Sequence, residues 1–264
     1  MPITVRTVQA FKERGERFVM LTAYDAPSAR LLHEADIPVI LVGDSLGMVA
    51  LGHPSTLPVT VADMIHHISA VRRGAPDAFI VGDLPFMSYQ ASLEDGIRNA
   101  GRLVKEGGAN AVKLEGGARV SELVSTLVDA GMPVMGHLGL TPQSVNQLGG
   151  YRVQGRDERA ACVLQDAKDL EAAGVFALVL EAVPSALAGE ITTSLAVPTI
   201  GIGAGPQCDG QVLVWHDFLG LTPGRAPKYV KRYAQLGDEI VRAAREFARE
   251  VSEGAYPEAG HSYD

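Results

Sequence analysis

Eight short apolar runs recur along the chain, and the segments between most of them have a helical period. The runs are FVMLTAY (18–24), PVILVG (38–43), AFIVG (78–82), NAVKL (110–114), PVMGH (133–137), FALVL (176–180), PTIGIG (198–203) and VLVW (212–215). Most are rich in Val and Ile and show little polar alternation, the pattern of parallel strands covered on both faces. Between them, Thr60 with Asp63 and Ser92 with Asp95 match capping boxes that open helices, and Gly107-Gly108 is a stop for the second. Segments 119–130, 157–173 and 184–195 read as further helices, with Pro184 where a first turn tolerates proline. Residues 234–252 read as an amphipathic helix with Leu236, Ile240, Phe247 and Val251 on one stripe.

This alternation predicts an α/β fold, a (β/α)8 TIM barrel, and 264 residues lie close to the roughly 250 such a barrel needs. No Pro-, Gly- or Ser-rich linker divides the chain. Residues 1–264 are therefore expected to form a single barrel domain, with 1–17 as an N-terminal extension and 254–264 as a loosely ordered tail. The rival is an open doubly wound sheet, whose GxGxxG fingerprint is missing after the first run.

Composition narrows the functional classes. With 47% hydrophobic and 20% charged residues the chain is globular and not disordered. A net charge of −8 argues against a nucleic-acid binder, which needs clustered Lys and Arg. It leaves room for a small anionic substrate, because a local pocket can oppose the global sign. No apolar run approaches the ~18 residues of a membrane span, and the N-terminal segment has no signal-peptide pattern. A cytoplasmic protein is the expectation. Cys162 and Cys208 form no CxxC pair and read as incidental free thiols.

Polar residues follow the runs: Asp44-Ser45, Asp83, Glu115 with Lys113 two positions earlier, His137 and Glu181. Any single acid after a strand reads equally as a helix cap or turn residue. In a barrel, however, the strand C-termini converge on the face that hosts the active site. Four carboxylates crowded there repel one another, and a hard cation such as Mg²⁺ relieves them. Zinc fits less well, since no Cys/His cluster has ligand spacing. His66 and His67 are adjacent on a predicted helix and read as surface or core histidines. Lys113 has two readings, a Schiff-base nucleophile or a fixed positive charge; neighbouring acids favour the charge. GIGAG (201–205) is either a backbone phosphate site or a tight turn that admits a bulky ligand.

At these same residues the chain resembles the ketopantoate hydroxymethyltransferase family. The matching segments are LTAYDAPSA, LVGDSLGMVALGHPSTLPVTVADMIHH, AVRRGAP, DLPFMSY, AVKLEGG, GHLGLTPQSVN, GGYRVQGR, LVLEAVP and GIGAGPQCDGQVLVWHD, with YPEAGHS near the C-terminus. The resemblance implies a barrel of the phosphoenolpyruvate/pyruvate-binding type. It implies transfer of a hydroxymethyl group from 5,10-methylenetetrahydrofolate to 3-methyl-2-oxobutanoate, an early step of pantothenate and hence coenzyme A synthesis. It implies one Mg²⁺ per subunit on Asp44 and Asp83, with Glu115 as a further metal-site carboxylate acting through water. By the same resemblance Asp44, Ser45, Asp83, Lys113 and His137 contact the substrate, Glu181 is the general base, and the assembly is a cytoplasmic homodecamer of two pentameric rings. The sequence does not place the pterin, for which the loop after the first strand and GIGAG are the candidates. Three rivals stay open: a magnesium-enolate lyase of the isocitrate or phosphonopyruvate type, a non-catalytic folate or metabolite sensor on a degenerate barrel, and a purely structural ring-forming protein, for which no feature speaks.

Overall fold

Eight parallel strands close into a barrel in simple chain order: β1 Phe18–Thr22, β2 Val39–Val42, β3 Phe79–Asp83, β4 Ala111–Glu115, β5 Val134–Gly139, β6 Ala177–Glu181, β7 Thr199–Ile202 and β8 Gly210–Leu213. The computed structural model describes residues 3–263. All eight apolar runs become strands. The eighth sits two residues earlier than its run, because Gly210 and Gln211 pair in register with Phe18 and Val19 while Trp215 starts a short helical turn. The open doubly wound sheet is excluded, since β1 pairs both β2 and β8.

Side-chain alternation explains where the core sits. Phe18, Met20, Val39, Leu41, Phe79, Val81, Ala111, Met135, Ala177, Val179, Ile200, Ile202 and Val212 form one buried cluster inside the barrel. Its lower end is closed by the helix Val5–Glu13, whose Val8 is fully buried in that cluster while Ile3, Val5 and Phe11 pack against it. Phe11 stacks on Phe18 at 5.2 Å, and Lys12 Nζ reaches Asp209 Oδ2 at 2.9 Å and the Thr192 carbonyl at 2.7 Å. The segment read as an N-terminal extension is thus a plug for the barrel floor.

The outer helices follow β1 to β6 as Ala26–Glu34, Val61–Gly74, Leu93–Arg102, Ser121–Asp129, Arg159–Ala172 and Ser185–Ser194. The Thr60–Asp63 capping box forms in full. At the next helix Ser92 caps the Asp95 N–H, but Asp95 returns its bond to the Ser92 hydroxyl instead of the backbone. That helix ends through a π turn, Leu103–Gly107, and Gly108 takes the left-handed conformation of a C-terminal stop. Pro184 precedes its helix as the N-cap. Between β7 and β8, residues 203–209 contain no helix.

The chain separates into two compact units, one ending at Val214 and one beginning at Trp215. The barrel strands all belong to the first. The second carries the helix Leu236–Glu253, none of whose residues is buried; Leu236, Ile240, Phe247 and Val251 are all exposed. Residues 254–263, expected to be loose, contain a 3₁₀ turn at Ala259–His261, and Tyr256 sits edge-on to Phe247 at 5.2 Å. Among the described residues no helix is long and apolar enough to cross a membrane.

Candidate active site

The inward-facing positions that are apolar at the barrel floor turn polar at its upper end. Val81 is followed two residues on by Asp83, Ala111 by Lys113 and Glu115, Met135 by His137, and Val179 by Glu181. Strand register then sets neighbours side by side: Asp83 opposite Lys113, and Glu115 opposite His137. Asp44 comes from the turn after β2, where its N–H donates to Asp83 Oδ2 at 3.0 Å. Gly43 is what permits this turn, because a Cβ there would lie 2.9 Å from Ser45 Oγ and 3.3 Å from Asp83 Oδ2.

The structure brings every predicted site residue to this one rim. Lys113 Nζ lies 2.5 Å from Asp83 Oδ1 and 3.3 Å from His137 Nδ1. His137 Nδ1 is 3.7 Å from Glu115 Oε1, and His137 Nε2 is 3.3 Å from Glu181 Oε2. An ammonium has only protons to offer, so the His137 Nδ1 facing it is the bare acceptor and Nε2 carries the hydrogen, which finds no hydrogen-bond partner among the described residues. Ser45 Oγ pairs with Tyr24 OH at 2.9 Å, and the Tyr24 carbonyl meets His67 Nδ1 at 2.6 Å. His67 therefore supports the loop after β1.

Burial sets the charge states. Asp83, Lys113, Glu115, His137 and Asp44 are all buried, and the Glu181 side chain retains 13% exposure. Burial pushes Glu181 up to about 7, with Lys113 opposing the shift. Burial, then the charge of Asp83, pushes Asp44 to about 7 as well. Glu115 is raised well above the carboxylate range by burial and by Asp44. His137 is held well below its usual value by burial and by Lys113, so the ring is neutral. Burial works to lower Lys113, yet Asp83, Glu115 and Asp44 together carry it above its ordinary value. A lysine so held stays protonated, which favours the fixed charge of its two readings.

Two buried neighbouring aspartates, the first joined to the second's carboxylate through its backbone N–H and raised by that charge, form an oxygen donor pair that suits a hard cation. Among the described residues no three His, Cys, Asp or Glu side chains converge as a ready metal group. Asp44, Asp83 and Glu115 are therefore not a preformed three-ligand set. Glu115 already accepts the Gln143 N–H at 3.1 Å through Oε2. Two carboxylates completed by water and substrate oxygens is the usual magnesium arrangement, so the donor set fits that ion.

Three site residues escaped the sequence reading: Tyr24, Tyr89 and Gln143. Each lies a few positions beyond a strand end, whereas the reading took the first polar residues after each run. Gln143 Nε2 donates to Asp44 Oδ2 at 2.9 Å, and Tyr89 OH stands 2.9 Å from Gln143 Oε1. The GIGAG turn, by contrast, offers no helix N-terminus to a phosphate, since no helix follows it. Gly205 has φ +82, and a Cβ there would lie 2.1 Å from Ser185 Oγ, so its glycine serves close packing.

The description "Ketopantoate hydroxymethyltransferase" belongs to a family model that matches residues 2–259. A 3-methyl-2-oxobutanoate hydroxymethyltransferase of Carboxydothermus hydrogenoformans is 58% identical over 262 residues, covering 99% of this chain and 95% of that protein. Among solved structures, 2,3-dimethylmalate lyase, described as a PEP mutase/isocitrate lyase superfamily member, aligns with a TM-score of 0.62 at 15% identity, covering 97% of this chain and 90% of that one. A phosphonopyruvate hydrolase complex with oxalate and Mg²⁺ aligns at 0.63 with 13% identity, covering 97% and 92%. At such identities the lyase and hydrolase likenesses speak for the barrel alone.

Proposed function

Because the chain belongs to the ketopantoate hydroxymethyltransferase family, we propose that its rim carboxylates move a hydroxymethyl group from 5,10-methylenetetrahydrofolate onto 3-methyl-2-oxobutanoate, giving ketopantoate. The observation that carries this reading is the placing, on one rim, of a buried carboxylate pair and a further buried carboxylate whose pKa is about 7. The lyase rival loses ground, since near-full-length identity of 58% lies with the transferase relatives.

Asp44 and Asp83 would hold one Mg²⁺ per subunit, with Glu115 reaching it through water. When bound, that ion offsets the negative charge of a 2-oxo acid and of its enolate. Lys113 and Ser45 fix the substrate's anionic end, Lys113 by charge and Ser45 by its hydroxyl. Glu181 then removes the proton from C3. Its pKa near working pH lets it be both ionised enough to accept a proton and basic enough to take one. His137, neutral, stands with Nε2 3.3 Å from Glu181 Oε2 without hydrogen-bonding it, and so does not neutralise the carboxylate. The C3 carbanion so formed attacks the one-carbon unit of the folate, and water completes the hydroxymethyl group as tetrahydrofolate leaves. The exposed apolar stripe of Leu236–Glu253 is in keeping with the family's homodecamer.

The deciding experiment incubates the purified protein with 3-methyl-2-oxobutanoate and methylenetetrahydrofolate, with Mg²⁺ and with EDTA. Ketopantoate is expected only with both substrates and the metal. Product formation at an undiminished rate in EDTA would remove the magnesium role, and C–C cleavage without folate would favour the lyase.

A further inference from the structure

Gln143 is buried in the 3₁₀ turn Pro142–Ser144 after β5, and its side chain ties together three of the loops that build the rim. Nε2 donates to Asp44 Oδ2 and to the Leu84 carbonyl, both at 2.9 Å. Oε1 faces Tyr89 OH at 2.9 Å and accepts from Gln90 Nε2 at 3.0 Å. The Gln143 main-chain N–H donates to Glu115 Oε2 at 3.1 Å. Both amide hydrogens are used, and Oε1 accepts from Gln90 while sharing the single Tyr89 hydroxyl hydrogen with the Glu115 carbonyl. The Leu84 carbonyl only accepts, so the amide cannot turn over without setting oxygen against oxygen at Leu84 and at Asp44. Tyr89 locks the other side: its hydroxyl accepts the Glu115 N–H at 3.1 Å and lies 3.0 Å from the Glu115 carbonyl.

One consequence concerns the two carboxylates. Gln143 engages one oxygen of Asp44 and one of Glu115, which fixes how each carboxylate is turned and favours its other oxygen for an ion or its water. Mg²⁺ is held by one-oxygen contacts in a tight octahedron, whereas Ca²⁺ readily takes both oxygens of a carboxylate and more ligands. We infer that Gln143, braced by Tyr89, is a positioning residue that holds Asp44 and Glu115 to one-oxygen contacts and so sets the site's preference for Mg²⁺ over Ca²⁺. This rests on the magnesium reading of the rim given above.

The test is calorimetric titration of Mg²⁺ and of Ca²⁺ into metal-free wild-type protein, Gln143→Leu and Tyr89→Phe, alongside steady-state kinetics. Loss of an outer partner to a metal ligand costs about 10- to 100-fold in metal affinity. Gln143→Leu is expected to lose Mg²⁺ affinity in that range and to lose less for Ca²⁺, so that the Mg²⁺/Ca²⁺ ratio falls. KM for 3-methyl-2-oxobutanoate rises with it. Tyr89→Phe removes one hydroxyl, keeps the ring in place, and is expected to shift the ratio the same way by less; it carries the test if Gln143→Leu does not fold. A wild-type ratio in a folded Gln143→Leu, or in Tyr89→Phe should the leucine variant not fold, would overturn the inference while leaving the magnesium reading intact. Absence of Mg²⁺ binding to the wild type would overturn both.

Discussion

Glu181 owes its raised pKa to where β6 ends. The strand carries apolar side chains up to the last residue, so the carboxylate is desolvated and its pKa rises to about 7. The next residue, Ala182, is held at φ +48, an unusual conformation for a side-chain-bearing residue and one that recurs at functional sites. Glu181→Gln is expected to abolish exchange of the C3 proton with solvent deuterium, read by NMR, while metal-dependent binding of the 2-oxo acid persists. Exchange at the wild-type rate would remove Glu181 as the base.

The same group predicts the pH dependence. The base must be ionised, and a raised carboxylate pKa means the ionised fraction grows as pH rises through about 7. Lys113 is raised and stays charged over that range, and His137 is lowered and stays neutral. An ascending limb in kcat/KM is expected between about pH 6 and 8, to which Glu181 and Asp44, both raised to about 7, contribute. A flat profile there would assign the proton transfer elsewhere. Asp83→Ala leaves Lys113 without its 2.5 Å partner and Asp44 without its contact. Magnesium-dependent substrate binding is expected to weaken by tenfold or more, which a titration with and without the metal checks.

At the scale of elements, local chemistry and tertiary packing left different marks. Helices opened by Thr60 and Ser92 were legible, because a cap and its acid lie three residues apart and need no distant partner. The helix Val5–Glu13 was not. It is capped by Thr4 and Thr7 with no acid in its first turn, and its apolar face is meaningful only against the barrel floor. Its contribution is measurable: Val8→Ala empties fully buried space and is expected to cost about 2 kcal/mol in urea unfolding. The start of β8 was missed for a related reason, since Gly210 and Gln211 have no apolar signature and join the sheet only through register with Phe18 and Val19.

For the whole molecule, the stripe on Leu236–Glu253 shows the limit of a periodicity argument. Leu236, Ile240, Phe247 and Val251 do share a face, and that face is exposed. Amphipathic spacing says that a face suits burial; it does not say against what. If the chain assembles as its family does, sedimentation equilibrium should return a mass near ten times 27.9 kDa, and a monomer at micromolar concentration would exclude the decamer.

The sequence by itself determined the barrel and most of its rim. Strand burial on both faces, helix caps and the two-residue alternation are short-range rules, and they suffice to place Asp83, Lys113, Glu115, His137 and Glu181 at converging strand ends. Only the tertiary structure decided what those groups are to one another. Lys113 is charged because Asp83 lies against it, His137 is neutral because it is buried beside that charge, and Asp44 is held by a glutamine 99 residues away. Such properties depend on distance and desolvation between side chains remote in sequence, and those exist only once the barrel has closed.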